Sequence, residues 1–121
     1  MSQKIGFAAE EQARDYLLEQ GLKWVLSNYR SRCGEIDLIM RDDSYLVFVE
    51  VRARASNAFG GAIASVTYSK RQKLIKTALF YLSAHKLHDK QPIRFDLVSF
   101  EGAPPKISKI NWMKNAFGSD F

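Results

Sequence analysis

Only one cysteine, three prolines and two histidines occur among the 121 residues, and no apolar run approaches the ~20 residues a membrane-spanning helix needs. The lone Cys33 excludes an internal disulfide, and it has no neighbouring Cys or His with which to build a zinc site. His85 and His88 are far from it in sequence, so nothing adjacent supplies the base a thiol nucleophile requires. Cys33 therefore reads as a small turn or strand-edge residue. The N-terminal MSQKIGFAAEEQA turns acidic where a secretory signal would be apolar. A cytoplasmic location without a membrane partner is the expectation. Internal repeats, linkers and low-complexity segments are also missing, which leaves a single domain over residues 1–121, long enough to bury a core without staples.

What is present is ordinary in amount, at 46% hydrophobic and 26% charged, but uneven in placement. Residues 1–50 carry six Lys/Arg against nine Asp/Glu, a net −3, whereas residues 51–121 carry twelve against four, a net +8. A chain with a pI near 9.4 and its cations gathered in one half suits a polyanionic partner, because phosphate backbones release counterions to Lys/Arg clusters.

Apolar residues at Ile5, Ala9, Ala13, Tyr16 and Leu17 recur at helical spacing, so Lys4 to Gln20 is predicted as a helix, with Gly21 as its left-handed cap. Glu10 borders the buried stripe of that helix. Leu22 to Tyr29 predicts an edge strand, followed by a basic connection with Arg30 and Arg32, a useful place to hold a phosphate. Glu35–Met40 and Tyr45–Ala53 alternate as two strands about an Asp42-Asp43-Ser44 turn. Ile36, Leu38 and Met40 are assigned to one face of this hairpin, and Phe48, Glu50 and Arg52 share one face of the second strand. Ala55–Thr67, with Phe59, Gly60 and Gly61, predicts a long loop. Thr67 or Ser69 caps a second helix to about His85, whose first turns are crowded by Lys70, Arg71, Lys73 and Lys76. Cations at a helix N-terminus oppose its dipole unless an anion is present, so a phosphate and a solvated face are both open readings. Pro92 opens a strand over Ile93–Phe100, an EGAPP turn follows, and the chain is predicted to finish as a short strand, Lys106–Ile110, and a helical turn, Asn111–Phe117.

Asp37 and Glu50 fall opposite each other in such a hairpin, both in strands of apolar character. Two carboxylates converging there repel unless a divalent cation lies between them, and hard oxygen ligands suit Mg2+ or Mn2+.

The ordered stretches GFAAEEQA (Gly6–Ala13), NYRSRCGEIDLI (Asn28–Ile39), VFVEVRAR (Val47–Arg54), SVTYSK (Ser65–Lys70) and RFDLV (Arg94–Val98) resemble the YraN-like family of small bacterial proteins. The chain is similar through them to the PD-(D/E)XK nuclease superfamily. The resemblance implies an α/β fold with a restriction-endonuclease-like core, a central mixed β-sheet flanked by helices. It implies Glu10, Asp37 and Glu50 as metal ligands, with Asp37, Glu50 and Arg52 as the catalytic set. Ile36 stands in place of the motif's proline, and Arg52 in place of its lysine. An arginine stays charged, so Arg52 can orient or stabilise, or be only the salt-bridge partner of an acid, with Lys70 as a substitute lysine. The function implied is metal-dependent phosphodiester hydrolysis on DNA, on structures such as junctions or flaps, with Arg30, Arg32, Lys70, Arg71, Lys73 and Lys76 gripping the backbone. A nucleic-acid-binding module that keeps the fold and has lost catalysis is the alternative. A homodimer would let two such sites address both strands.

Overall fold

The computed structural model describes residues 3–54, 66–87, 91–103 and 106–118. Helix α1 spans Gln3–Glu19, strand β1 Lys23–Ser31, β2 Gly34–Asp42 and β3 Tyr45–Arg54; helix α2 spans Tyr68–Ala84, followed by β4 Ile93–Ala103 and β5 Lys106–Phe117. The expected loop over 55–65 lies outside the described residues, as does its Phe59.

The five strands form one sheet in the order β1-β2-β3-β4-β5. All neighbours are antiparallel except β3 and β4, which run parallel with α2 as their crossover. A parallel pair needs such a long connection, and it places a helix over one face. The α/β expectation and the mixed sheet hold.

Each helix covers one face. Beneath α1, Ala9, Ala13 and Leu17 meet Leu38, Met40, Val47, Val49, Val98 and Phe100. Beneath α2, Leu74, Ile75, Ala78, Tyr81 and Leu82 meet Ile39, Phe48, Phe95 and Leu97. Strands apolar on both faces are the result, as their composition requires. Helix α1 ends where Gly21 takes φ 99°, and α2 begins where the Thr67 side chain accepts the Lys70 N–H. Tyr29, next to Arg30, makes an edge-to-face pair with Tyr81 at 5.1 Å and packs against the core.

Two expectations are corrected. Asn111–Phe117 is not a helical turn: β5 continues through it, pairing Trp112 with Val98 and Phe117 with Phe95. The strand survives because Asn115 adopts φ 52° and donates its N–H to Asp96 Oδ1, which absorbs an irregularity between Phe95 and Leu97 without ending the ladder. Ile36 packs with Ile39 on the α2 face, not with Leu38 and Met40 on the α1 face. The alternation of β2 is broken between Ile36 and Leu38, at Asp37.

Candidate metal centre and cationic cleft

The break at Asp37 is where two strands part. The β2–β3 ladder runs from Asp42↔Tyr45 to Leu38↔Val49 and goes no further, although β2 begins at Gly34 and β3 reaches Arg54. Beyond the fork β3 stays paired with β4, up to Arg54↔Glu101. The Val51 N–H, left without a ladder acceptor on β2, donates instead to Asp37 Oδ2 at 2.9 Å. One carboxylate thus replaces a strand carbonyl, and a half-buried donor is satisfied.

Carboxylates gather at this fork. Glu10 arrives from α1 and comes to lie beside Asp37 and Asn28. Asn28 lies between Ser27 and Tyr29, which pair with Leu38 and Ile36, so it sits across from Asp37, with φ 55°. Glu10, Glu35 and Asp37 each bring one oxygen within 4.8 Å of the other two. Burial, then the charges of Glu50 and Glu10, push Asp37 well above the usual carboxylate range, against the opposing pull of the Val51 N–H. Burial raises Glu10 as well, with Glu35 and Glu50 adding repulsion. Oε1 of Glu10 is buried without a hydrogen-bond partner among the described residues. Mutually repelling hard oxygens, one of them unpartnered, are a donor set that fits a divalent cation.

Glu50 stands beside this group on the α2 face. It is buried, and its Oε2 receives Arg52 Nη2 at 3.0 Å and Lys70 Nζ at 3.2 Å. Of the three acids that the resemblance implies as ligands, Glu10 and Asp37 lie in this group together with Glu35, and Glu50 stands next to Asp37 with two cations on it. Arg52 Nε is itself buried and has no hydrogen-bond partner among the described residues. A cleft of about 370 Å³ opens over Glu35, Asp37, Glu50, Lys70 and Lys73, with the Thr67 and Ser69 hydroxyls on its rim.

Gly34 fixes the width of this cleft. Its φ of 151° suits glycine, and an added Cβ would lie 3.2 Å from Thr77 Oγ1, which is buried and bonded to the Lys73 carbonyl at 2.7 Å. Gly34→Ala is expected to cost about 1–2 kcal/mol, since strain and overpacking add. A chemical denaturation curve checks it; an unchanged midpoint would show that α2 yields freely.

The residues assigned to a nucleic-acid backbone divide. Lys70 and Lys73 line the cleft, Lys76 is exposed on the same helix, and Arg32 is exposed in the β1–β2 turn. Arg30 is salt-bridged to Glu35. Arg71 is turned elsewhere, with Nε on the Val66 carbonyl at 2.9 Å and its guanidinium 5.8 Å from the Phe117 ring centre. Cys33 lies in the β1–β2 turn with its N–H on Ser31 Oγ. Two members of the site escaped the sequence reading. Glu35 shares the alternation phase of Asp37 and was within reach of it; Asn28 had no signal beyond asparagine's tolerance of positive φ.

A family model for the uncharacterised protein family UPF0102, the YraN-like family, matches residues 9–100. The chain belongs to this family. Among its members, a UPF0102 protein of Legionella pneumophila is 54% identical over 117 residues, covering 97% of each chain. One of Coxiella burnetii is 47% identical over 121 residues, spanning this whole chain and 98% of the relative. One of an Enterobacter species is 47% identical over 118 residues, covering 97% of this chain and 86% of the relative. The matched region of this UPF0102 chain contains the fork, the carboxylates and both cations on Glu50. Among the described residues no helix is long and apolar enough to cross a membrane.

Proposed function

We propose that this chain is a divalent-metal-dependent nuclease of the PD-(D/E)XK type, hydrolysing phosphodiester bonds in DNA. The observation that carries the reading is the convergence of Glu10, Glu35 and Asp37 within 4.8 Å of one another, with a buried Glu10 oxygen unpartnered among the described residues, beside a solvent-open cleft that Glu50, Lys70 and Lys73 also line. Acids alone would repel a phosphodiester; acids that hold a cation beside fixed Lys and Arg attract one.

Glu10, Asp37 and Glu35 would hold Mg2+ or Mn2+, which when bound neutralises phosphate charge and lowers the pKa of water. Glu50, beside Asp37, holds the Arg52 and Lys70 side chains, ready to exchange one carboxylate contact for a phosphate oxygen. Arg52, with Nη2 on Glu50 Oε2, stabilises the charge that builds on the phosphorane through its fixed fork of donors. Lys73 and the Thr67 and Ser69 hydroxyls position the strand. A chain of this size has little surface for reading a base sequence, which favours branched or discontinuous structures as substrates.

The Arg52–Glu50 pair also favours a second reading, a binding module in which that ion pair is purely structural. Incubation with Mg2+ or Mn2+ and a panel of junction, flap, single-stranded and duplex DNA separates the two. Metal-dependent nicking is expected; salt-sensitive binding without cleavage on any substrate would establish the module instead.

A further inference from the structure

A second, smaller pocket of about 180 Å³ adjoins the carboxylate group on its α1 side, walled by Glu10, Glu11, Arg14, Trp24, Ser27 and Asn28. It shares Glu10 with the acidic triad and Asn28 with the strand position opposite Asp37, so a ligand spanning both pockets passes directly over the carboxylates. Trp24 forms its outer wall and is 49% exposed, in contrast to Trp112, which is half-buried with its Nε1 on the buried Asp96.

The exposure of Trp24 is built into β1. The register shifts between Trp24 and Leu26, so that Leu26 turns into the α2 core while Trp24 and Ser27 pair with Met40 and Leu38, residues of the α1 face. Bulges of this kind re-aim side chains, and here the indole is aimed beside the site. It is held there by Nε1 donating to Ser27 Oγ at 3.0 Å and by the Arg14 guanidinium 5.5 Å from the ring centre.

The wall chemistry identifies the occupant. Glu10 and Glu11 repel a phosphate but accept hydrogen bonds from exocyclic amino groups, while an exposed indole offers a stacking surface to any base. A base inside a duplex presents no free face. We propose that this pocket receives an unpaired nucleobase next to the scissile phosphate, so that the substrate of the nuclease read above carries a single-stranded nucleotide at the cut; this rests on that reading for the position of the phosphate. Trp24 is then the specificity-determining residue, and Arg14 braces its ring.

Binding of labelled single-stranded and duplex oligonucleotides of one sequence, measured by fluorescence anisotropy with Ca2+ in place of Mg2+ or Mn2+ so that the carboxylates keep a hard divalent cation, tests it. Trp24→Ala is expected to weaken single-strand binding roughly tenfold and to leave duplex binding within about twofold, with Trp24→Phe retaining most of the affinity. Equal losses on both ligands, or no loss on either, overturn the proposal even if the wild-type protein cleaves DNA. A single-strand preference that depends on Trp24 in a protein that cleaves no substrate with Mg2+ or Mn2+ overturns the nuclease reading and leaves the base pocket standing. Absence of wild-type binding to both ligands at low salt overturns both.

Discussion

Asp37→Asn is expected to abolish metal-dependent cleavage, by roughly a thousandfold or more if the lost ligand removes about 4 kcal/mol of transition-state stabilisation, while making the metal-free protein more stable. Asparagine is chosen because its carbonyl oxygen still accepts the Val51 N–H, and its amide donates to Glu10; alanine would leave a half-buried donor empty and confuse folding with chemistry. The stability gain follows from the direction of the titration. Burial, with Glu50 and Glu10, raises the Asp37 carboxyl, so the folded metal-free protein binds more protons than the unfolded chain between the ordinary carboxylate range and the raised one. Its contribution is intact below the unfolded value and is lost as pH rises through the folded value. As pH rises from the ordinary carboxylate range the wild-type protein bears that loss and the variant does not. The Tm difference is therefore expected to grow with rising pH and to close as pH falls toward the ordinary range. Added Mg2+ or Mn2+ should raise the Tm of the wild type and leave the variant nearly unmoved. A variant less stable than wild type at pH 7, or equally responsive to the metal, would place the cation elsewhere.

The parts of this fold legible in the sequence were those written in local periodicity and turn chemistry. Gly21 marked the end of α1, Thr67 the start of α2, and Asp42-Asp43-Ser44 the hairpin, because each encodes its own backbone geometry. Asn111–Phe117 was misread because its strand character comes from β4. The Asp96 oxygens hold Trp112 and Asn115 in place, and nothing in a window of seven residues reports a partner sixteen or nineteen positions away. The site divided along the same line. Asp37 and Glu50 stood out as charges in apolar strands, and Glu10 was reached through the family resemblance. The approach of Glu35 to Glu10 and Asp37 depends on where β2 leaves β3, and strict alternation carries no sign of that fork. Arg71 illustrates the same limit on a helix: composition counts it as a cation for phosphate, and packing spends it on Val66 and Phe117.

The largest expected effect on stability lies away from the cleft, at Arg94. Asp96 is fully buried, and its two oxygens accept four hydrogen bonds: Arg94 Nε at 2.9 Å, Arg94 Nη2 at 3.0 Å, Trp112 Nε1 at 2.9 Å and the Asn115 N–H at 2.9 Å. Arg94 Nη2 also reaches Asp42 Oδ2 at 2.9 Å, and the guanidinium lies 5.6 Å from the Tyr45 ring centre. One ion pair thereby ties β4 to the β2–β3 turn and to β5. Arg94→Ala would leave the Asp96 carboxylate buried with half its donors and no countercharge, a loss of about 3–5 kcal/mol, against a total near 5–15 kcal/mol for a domain of this kind. The exposed Arg14–Asp15 contact, at 3.4 Å, sets the contrast: its removal is expected to cost under about 0.5 kcal/mol. Replacing Asp96 instead removes the acceptor that seats Trp112 and Asn115, so Asp96→Ala should also loosen β5, read as earlier amide exchange along 111–117 than in Arg94→Ala. Urea denaturation of the two variants measures the difference; a loss below 1 kcal/mol for Arg94→Ala would mean that the Trp112 and Asn115 donors alone satisfy the Asp96 carboxylate. The pair sits on the far side of β3 from the carboxylate fork. Arg94→Ala protein that remains folded in the cold should therefore keep the metal-induced Tm shift that Asp37→Asn loses, which separates what holds the sheet together from what the fork was built to bind.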